Sequence, residues 1–112
     1  MRYRDFVTVV RAPVTTGPDG AESIDWTVPD SELTTVEYDG EFQPISSAED
    51  IVGQERVQST HKAFLPADAD VAATDRLRFL GADYWVDGAP EAHRHRGRPH
   101  HIEVFCFAVQ GG

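Results

Sequence analysis

Six stretches of the chain alternate apolar and polar residues with the two-residue period of a β-strand. No stretch shows the 3.6-residue period of a long helix. The sequence therefore predicts an all-β fold, a small antiparallel barrel of about six strands with two long loops, because closure removes exposed sheet edges. The six predicted strands are Asp5–Arg11, Thr35–Pro44, Glu55–Leu65, Arg76–Leu80, Asp83–Asp87 and Ile102–Val109.

The segment Asp75–Pro90 predicts a β-hairpin around which the other strands are arranged. A tight connection at Gly81-Ala82 separates its two runs, and glycine supplies the positive φ of a two-residue turn. An isolated hairpin is marginal in water, so this one is expected to pack against further strands. One of its faces is expected to carry Leu77, Phe79, Tyr84 and Val86.

Two other predicted strands have informative faces. In the second strand, Gly40 predicts a bulge or a bend, and the outward face carries Glu37, Asp39 and Glu41. The last strand is apolar on both faces, which predicts burial on two sides by the barrel or by a neighbouring subunit. Phe105 and Phe107 lie on one of those faces and are candidates for a subunit interface.

Long connections are expected at about 12–33, 45–53 and 91–100, all within one domain spanning 1–112. Trp26 lies in the first of them. It is interpreted either as a residue that caps the barrel core or as an anchor in a subunit interface. Long loops of small domains tend to carry function or partner contacts.

Composition narrows the class of protein. The only cysteine, Cys106, excludes an internal disulfide. No apolar run is long enough to span a membrane, so no membrane partner is expected. The first residues lack an apolar signal core, so we expect the protein to be made in the cytoplasm. The net charge of −9 argues against a protein that grips nucleic acid through basic side chains.

Charge is segregated along the chain. Eleven acids and no lysine or arginine lie between Ala12 and Glu55, whereas 93–101 holds three arginines, four histidines and no acid. The pattern fits two solvated loops of opposite charge. It also fits contact between copies, with the basic loop of one meeting the acidic region of the next and the repeat closing into a ring. The arginines of that candidate interface are Arg94, Arg96 and Arg98.

Catalysis and cofactors are not expected. His93, His95 and His101 could gather a metal ion with Glu103, but the three interleaved arginines would repel a divalent cation. No nucleophile elbow, phosphate-binding loop or dinucleotide-binding motif occurs. We therefore predict no catalytic residues, no metal and no cofactor.

Several ordered motifs support a family resemblance: QPISSAE at 43–49, FLP at 64–66, DADVAATDRL at 68–77, GADYWVDGAP at 81–90, and HHIEV at 100–104 with a final GG. In this order the chain resembles the head-closure, or stopper, proteins in the neck of long-tailed bacteriophages. The resemblance implies a structural virion protein, assembled in the host cytoplasm into a cyclic ring, a dodecamer in the finished neck. Its partners would be the portal and adaptor above, the tail terminator or tail tube below, and packaged double-stranded DNA through non-specific contact.

In some members of the family that this chain resembles, a loop between strands reaches into the DNA channel and closes it. The segment 45–53 is the expected gate, with Glu49, Asp50, Ile51 and Gly53 as its residues. The acids Glu37, Asp39 and Glu41 are expected to face the channel.

Three alternatives remain open at the sequence level. The chain could be a tail terminator or another neck or tail-tube component. It could be a cupin-like metal-binding enzyme using the histidines of 93–101. It could also be a single-strand-binding barrel, which its acidic charge disfavours.

Overall fold

A computed structural model describes residues 5–45, 59–95 and 98–109, without the side chains of 93–95, 98 and 99. This part of the chain contains no α-helix, and no helix in it has the length and hydropathy needed to cross a membrane. Its elements are β1 (Asp5–Arg11), β2 (Val14–Thr16), β3 (Glu22–Ile24), a 3-10 turn (Asp30–Glu32), β4 (Thr34–Pro44), β5 (His61–Pro66), β6 (Arg76–Phe79), β7 (Ala82–Val86), β8 (Glu91–His95) and β9 (Arg98–Ala108).

Six strands close into an antiparallel barrel. They follow the order β5-β4-β1-β6-β7-β9, and pairing of β9 with β5 completes the circle. β8 extends the sheet beyond the barrel by pairing with the first half of β9, and β2 and β3 form a separate two-stranded sheet. The six barrel strands correspond to the six predicted stretches, so the predicted antiparallel barrel is confirmed. Residues 55–58 of the predicted third strand lie outside the described residues.

The inward side chains form a packed core, as the alternation predicts. At one end of the barrel the ring of Phe42 lies against those of Phe79, His61 and Tyr84, with centroid distances of 4.6, 5.3 and 4.8 Å. Side chains thus occupy the interior, as is usual for a barrel of this size. The buried core residues are Val7, Val9, Ala63, Leu65, Leu77, Val86, Ile102, Val104 and Cys106.

The chain itself buries both faces of β9. Ile102, Val104 and Cys106 point into the barrel, while Glu103 and Phe105 on the outward face are only 9% and 3% exposed. The predicted two-sided burial is therefore present, and it arises within the chain without a neighbouring subunit.

Cys106 is expected to react slowly in the folded protein. Burial, with a smaller contribution from the charge of Asp87, raises the pKa of its thiol to about 12, and only the thiolate is a good nucleophile. Labelling by a chromogenic disulfide at pH 8 should be at least about a hundredfold slower in buffer than in denaturant. Rapid labelling in buffer would show that β9 opens readily.

The β6–β7 turn lies one residue earlier than predicted. Its central residues are Leu80 and Gly81, with φ of 51° and 81°, rather than Gly81 and Ala82. Ala82 instead pairs with Phe79 and begins β7. Two consecutive positive φ values characterise a type I′ turn, in which glycine at the second position relieves half of the strain. Leu80 takes the other position and is 89% exposed.

Two segments predicted as loops contain strands. The connection 12–33 holds β2 and β3, joined by a turn in which the Gly20 N–H donates to Gly17 O. The connection 91–100 holds β8 and the start of β9. The alternation missed them because β2 and β3 have three residues each and β8 (EAHRH) has almost no apolar residues.

Gly40 marks a close approach between strands. Of the two alternatives predicted at Gly40, a bulge or a bend, the bulge is absent, because the β1–β4 register runs without a shift from Arg11–Thr34 to Asp5–Gly40. A Cβ at this position would lie 2.5 Å from the backbone oxygen of Phe64 and 2.9 Å from the Leu65 side chain. β4 changes partners here, pairing with β1 up to Gly40 and with β5 from Glu41 onward.

Candidate interaction surfaces

Because side chains fill the interior of the barrel, a partner would bind on its outer surface. The first exterior feature is the acidic face of β4, formed by Glu37, Asp39 and Glu41. These side chains point outward because Tyr38 and Phe42, which alternate with them, pack on the core. Glu37 and Asp39 are exposed and Glu41 is half-buried. Alternate residues of a strand lie about 6.6 Å apart, so the carboxylates form a short negative row.

The strands beside this row do not place a cation directly opposite it. Glu37 faces Thr8 and Asp39 faces Phe6 on β1, while Glu41 faces Phe64 on β5. Cross-strand partners are the neighbours that most readily neutralise a charge on a sheet. The acidic face of β4 therefore presents negative charge to its surroundings.

Four described cations bind carboxylates of the same chain. Arg11 pairs with Asp75, Lys62 with Glu103, and both Arg76 and Arg78 with Asp83. The local positive charge of these side chains is balanced within the chain.

Arg11 anchors the connection before β6 to the end of β1. Its Nε and one terminal nitrogen donate to the two oxygens of Asp75 at 2.9 and 2.8 Å, and Asp75 is 1% exposed. Asp75 also accepts from the Ala72 N–H at 2.8 Å. The other side of the guanidinium reaches exposed Asp70, whose pKa this hydrogen bond lowers. Two acids thus share one arginine, one buried and one in solvent.

Trp26 holds the first long loop against the barrel wall. The guanidinium of Arg76 lies 4.2 Å from the ring centroid of Trp26 and 4.3 Å from that of Trp85, and the two indoles meet edge to face at 5.3 Å. Trp26 thus contacts the outside of its own barrel rather than the core, and its role in a subunit interface stays a prediction.

Replacing Trp26 with alanine is expected to lower the free energy of unfolding by about 2 kcal/mol, because a cation–π contact and an aromatic pair are lost together. Urea denaturation followed by far-UV circular dichroism measures the change. Trp26→Phe is the control and should lose less than half as much, since it keeps a ring over Arg76. An unchanged midpoint for Trp26→Ala would show that the loop does not depend on this contact.

An open groove of about 710 Å³ lies beside this cluster and is bordered by Arg76, Arg78, Asp83 and Tyr84. Burial raises the pKa of Asp83, but the hydrogen bonds and charges of Arg78 and Arg76 outweigh it and hold that pKa below its usual value. Arg78 donates from Nε to Asp83 at 2.6 Å. Arg76 and Arg78 thus both bind Asp83 across the wall of the groove.

The other predicted site residues are distributed differently. The gate residues Glu49, Asp50, Ile51 and Gly53 lie outside the described residues, as does Arg96. The backbones of Arg94 and Arg98 lie in β8 and β9, and their side chains are not described.

The two phenylalanines proposed for a subunit interface differ in exposure. Phe105 is 3% exposed, so its burial within the chain argues against a contact with a second copy. Phe107 is half-buried, and its interface role stays a prediction.

The histidine segment folds into a two-stranded extension of the barrel. The β8–β9 register places His93 opposite His101 and His95 opposite Arg98. Among the residues whose side chains are described, no group of three or more histidine, cysteine, aspartate or glutamate side chains is placed to hold a metal ion. The side chains of His93 and His95 are not part of that set.

Sequence reasoning missed the β2–β3 hairpin as a surface feature. All six residues of its strands are exposed, and Val14 and Ile24 form a directly opposed apolar pair. The Asp19-Gly20 dipeptide between them was the available signal, since Asp-Gly is typical of hairpin turns.

Comparisons with known proteins establish the fold alone. No protein-family model matches the sequence, and no curated protein matches it. The chain is similar in structure to protein SF1141 from Shigella flexneri 2a, whose solution structure aligns with a TM-score of 0.66 and 16% identity. The alignment covers 99% of this chain and 96% of that one. The barrel fold of this chain thus also occurs in an experimentally determined structure.

Proposed function

We propose that this chain is a head-closure protein of a long-tailed bacteriophage. Copies would form a ring beneath the portal and adaptor, close the DNA exit channel, and provide the surface on which the tail docks. The acidic face of β4 carries the proposal: an exposed row of carboxylates on one strand of a barrel whose interior is filled. The role is structural and includes no catalysis.

The motifs of the family resemblance support this proposal through their positions on the barrel. FLP ends β5, GADYWVDGAP spans β7 with its flanking turns, and HHIEV lies in β9, where it joins β5 to β8. These three motifs therefore lie on barrel strands and their turns, the part of the chain that would form the body of a ring subunit.

The negative charge of the β4 face would suit the wall of a DNA channel. In a ring with the acidic face of β4 turned toward the axis, carboxylates would line the channel. DNA phosphates would be repelled from such a wall, whereas arginines would bind them and slow passage. We therefore assign the channel wall to Glu37, Asp39 and Glu41, with the segment 45–53 as the gate.

Reconstitution tests the assignment. The purified chain is mixed with the portal–adaptor complex encoded by the same phage genome and imaged by cryo-electron microscopy. A ring below the adaptor with the acidic face of β4 toward the axis is the expected result. A ring that binds only the end of the tail tube would support the terminator alternative instead. Absence of a ring, or an outward acidic face, would refute the proposal.

The channel wall can be tested separately with charge-matched variants. In reconstituted particles, Glu37→Lys with Asp39→Lys should slow DNA release several-fold, because the new cations bind phosphates. Glu32→Lys with Asp68→Lys changes the net charge equally at exposed sites elsewhere and should leave release unchanged. If both pairs of substitutions slow DNA release equally, the acidic face of β4 does not line the channel.

A further inference from the structure

Three bonds of the chain join an aspartate to a following glycine: Asp19-Gly20, Asp39-Gly40 and Asp87-Gly88. At such a bond the glycine nitrogen can attack the side-chain carboxyl carbon of the aspartate, because glycine has no Cβ to hinder the approach. The product of this reaction is isoaspartate, in which the main chain runs through the side chain. The sequence contains no asparagine, so aspartate is its main source here.

The Asp19-Gly20 bond lies in the exposed turn between β2 and β3. The Asp19 carboxylate accepts a hydrogen bond from the Ala21 N–H at 3.0 Å, so the side chain folds back over the Gly20 peptide, whose nitrogen is the attacking atom. The Gly20 N–H donates to Gly17 O at 3.0 Å, and this hydrogen bond has to open before the attack. It opens readily, because β2 and β3 form a sheet apart from the barrel and a two-stranded hairpin is marginally stable in water.

The barrel structure holds the other two bonds in place. Asp39 and Gly40 both pair with β1 in an unbroken register, and the extended backbone of a paired strand keeps the glycine nitrogen away from the carboxyl carbon. At the third bond, the Asp87 carboxylate accepts from the Ser59 hydroxyl at 2.6 Å, and the Asp87 N–H donates to Phe105 O at 2.8 Å. Residues anchored in this way open much less often than a marginal hairpin does.

We propose that Asp19 is the site at which this chain isomerises spontaneously to isoaspartate. The Gly20 nitrogen forms a bond to the side-chain carboxyl carbon of Asp19, and its proton leaves with one carboxyl oxygen as water. Water then adds to the resulting succinimide and breaks one of the two bonds between its nitrogen and a carbonyl carbon. Cleavage at the main-chain carbonyl gives isoaspartate. One water leaves and one is added, so the mass is unchanged and no other reactant is needed.

The modification changes the hairpin and leaves the barrel intact. Isoaspartate adds one carbon to the main chain inside the turn. The turn sets the register in which Val14 pairs with Ile24 and Thr16 with Glu22, so a longer turn disrupts this pairing. The barrel strands belong to the other sheet. This inference is independent of the neck assignment proposed above.

Ageing of the purified full-length chain at neutral pH and body temperature tests the site. Trypsin followed by a glutamate-specific protease separates the three bonds into the peptides 12–22, 38–41 and 79–91, and electron-transfer fragmentation quantifies isoaspartate in each. The first peptide should accumulate it at least about tenfold faster than either of the others, because its bond lies in the least stable element. A rate at Asp19 no higher than at the other two bonds would refute the proposal.

The same ageing in guanidinium chloride shows whether the folded structure causes the difference. The three rates should become similar there, because the protection of the barrel is lost. A difference that persists unchanged in the denatured chain would refute the structural argument.

Asp19→Glu keeps the charge but needs a larger ring, which closes more slowly. Total isoaspartate, measured with an isoaspartyl methyltransferase and labelled S-adenosylmethionine, should fall at least about fivefold, because only the protected bonds remain. Asp39→Glu is the matched control and should leave the total unchanged. Equal falls in both variants would refute the assignment to Asp19.

Hydrogen exchange tests the effect on the hairpin. In the aged wild-type protein, the amides of 12–22 should exchange faster than before ageing, while those of β1 and β6 keep their protection. Unchanged exchange in 12–22 after conversion would refute the predicted loss of pairing.

Discussion

Replacing Asp75 with alanine is expected to lower the free energy of unfolding by about 3 kcal/mol, as is typical when one member of a buried charge pair is removed. Its carboxylate is 1% exposed and accepts two hydrogen bonds from Arg11 and one from the Ala72 N–H. The alanine leaves a cavity and a buried donor without its partner. Urea denaturation with global fitting of the midpoint and slope measures the loss.

Asp70→Ala is the matched control because Asp70 binds the same guanidinium from solvent, with its side chain 77% exposed. The control should leave the urea midpoint unchanged within the error of the measurement, as for most exposed ion pairs. Similar losses for both variants would show that Arg11, rather than the burial of Asp75, determines the effect.

Replacing Gly40 with alanine is the second large change and should cost at least about 2 kcal/mol, within the range for overpacked interiors. The added Cβ would lie 2.5 Å from the Phe64 backbone oxygen, so β4 and β5 would have to separate locally. Thermal unfolding followed by circular dichroism should show a melting temperature lower by roughly 8 °C or more for a domain of this size.

Asp39→Ala, one residue earlier on the exposed face of β4, is the companion variant and should melt within about 2 °C of the wild type, as surface substitutions usually do. If Gly40→Ala has the same melting temperature as Asp39→Ala, the strands can relax around the added methyl group, and their close approach does not require glycine.

The barrel could be predicted from sequence because its strands other than β9 bury one face each. In β4, Tyr38 and Phe42 pack inward while Glu37 and Asp39 face outward, and burial of a single face imposes this two-residue period on the sequence. The same alternation predicted the acidic face of β4.

Short and polar elements could not be predicted in this way. β2 and β3 are too short to show a period, and β8 lacks apolar residues that would mark a buried face. The turn at Leu80-Gly81 was misplaced by one residue because leucine is an unusual choice for a positive φ.

Contacts between residues far apart in the chain also could not be predicted from the sequence. Arg11 and Asp75 are 64 residues apart, and only the pairing of β1 with β6 brings them together. Trp26 meets Trp85 for a similar reason, since its loop crosses the outside of strands whose order the alternation does not specify.

The position of both tryptophans in a single cluster has a consequence for spectroscopy. The chain has two tryptophans, and both lie against Arg76. Intrinsic emission therefore reports on whether the loop is docked, whereas backbone dichroism reports on the strands. Where the loop detaches before the barrel opens, the two signals will give different transition curves, and a free energy fitted to emission alone will describe only the detachment.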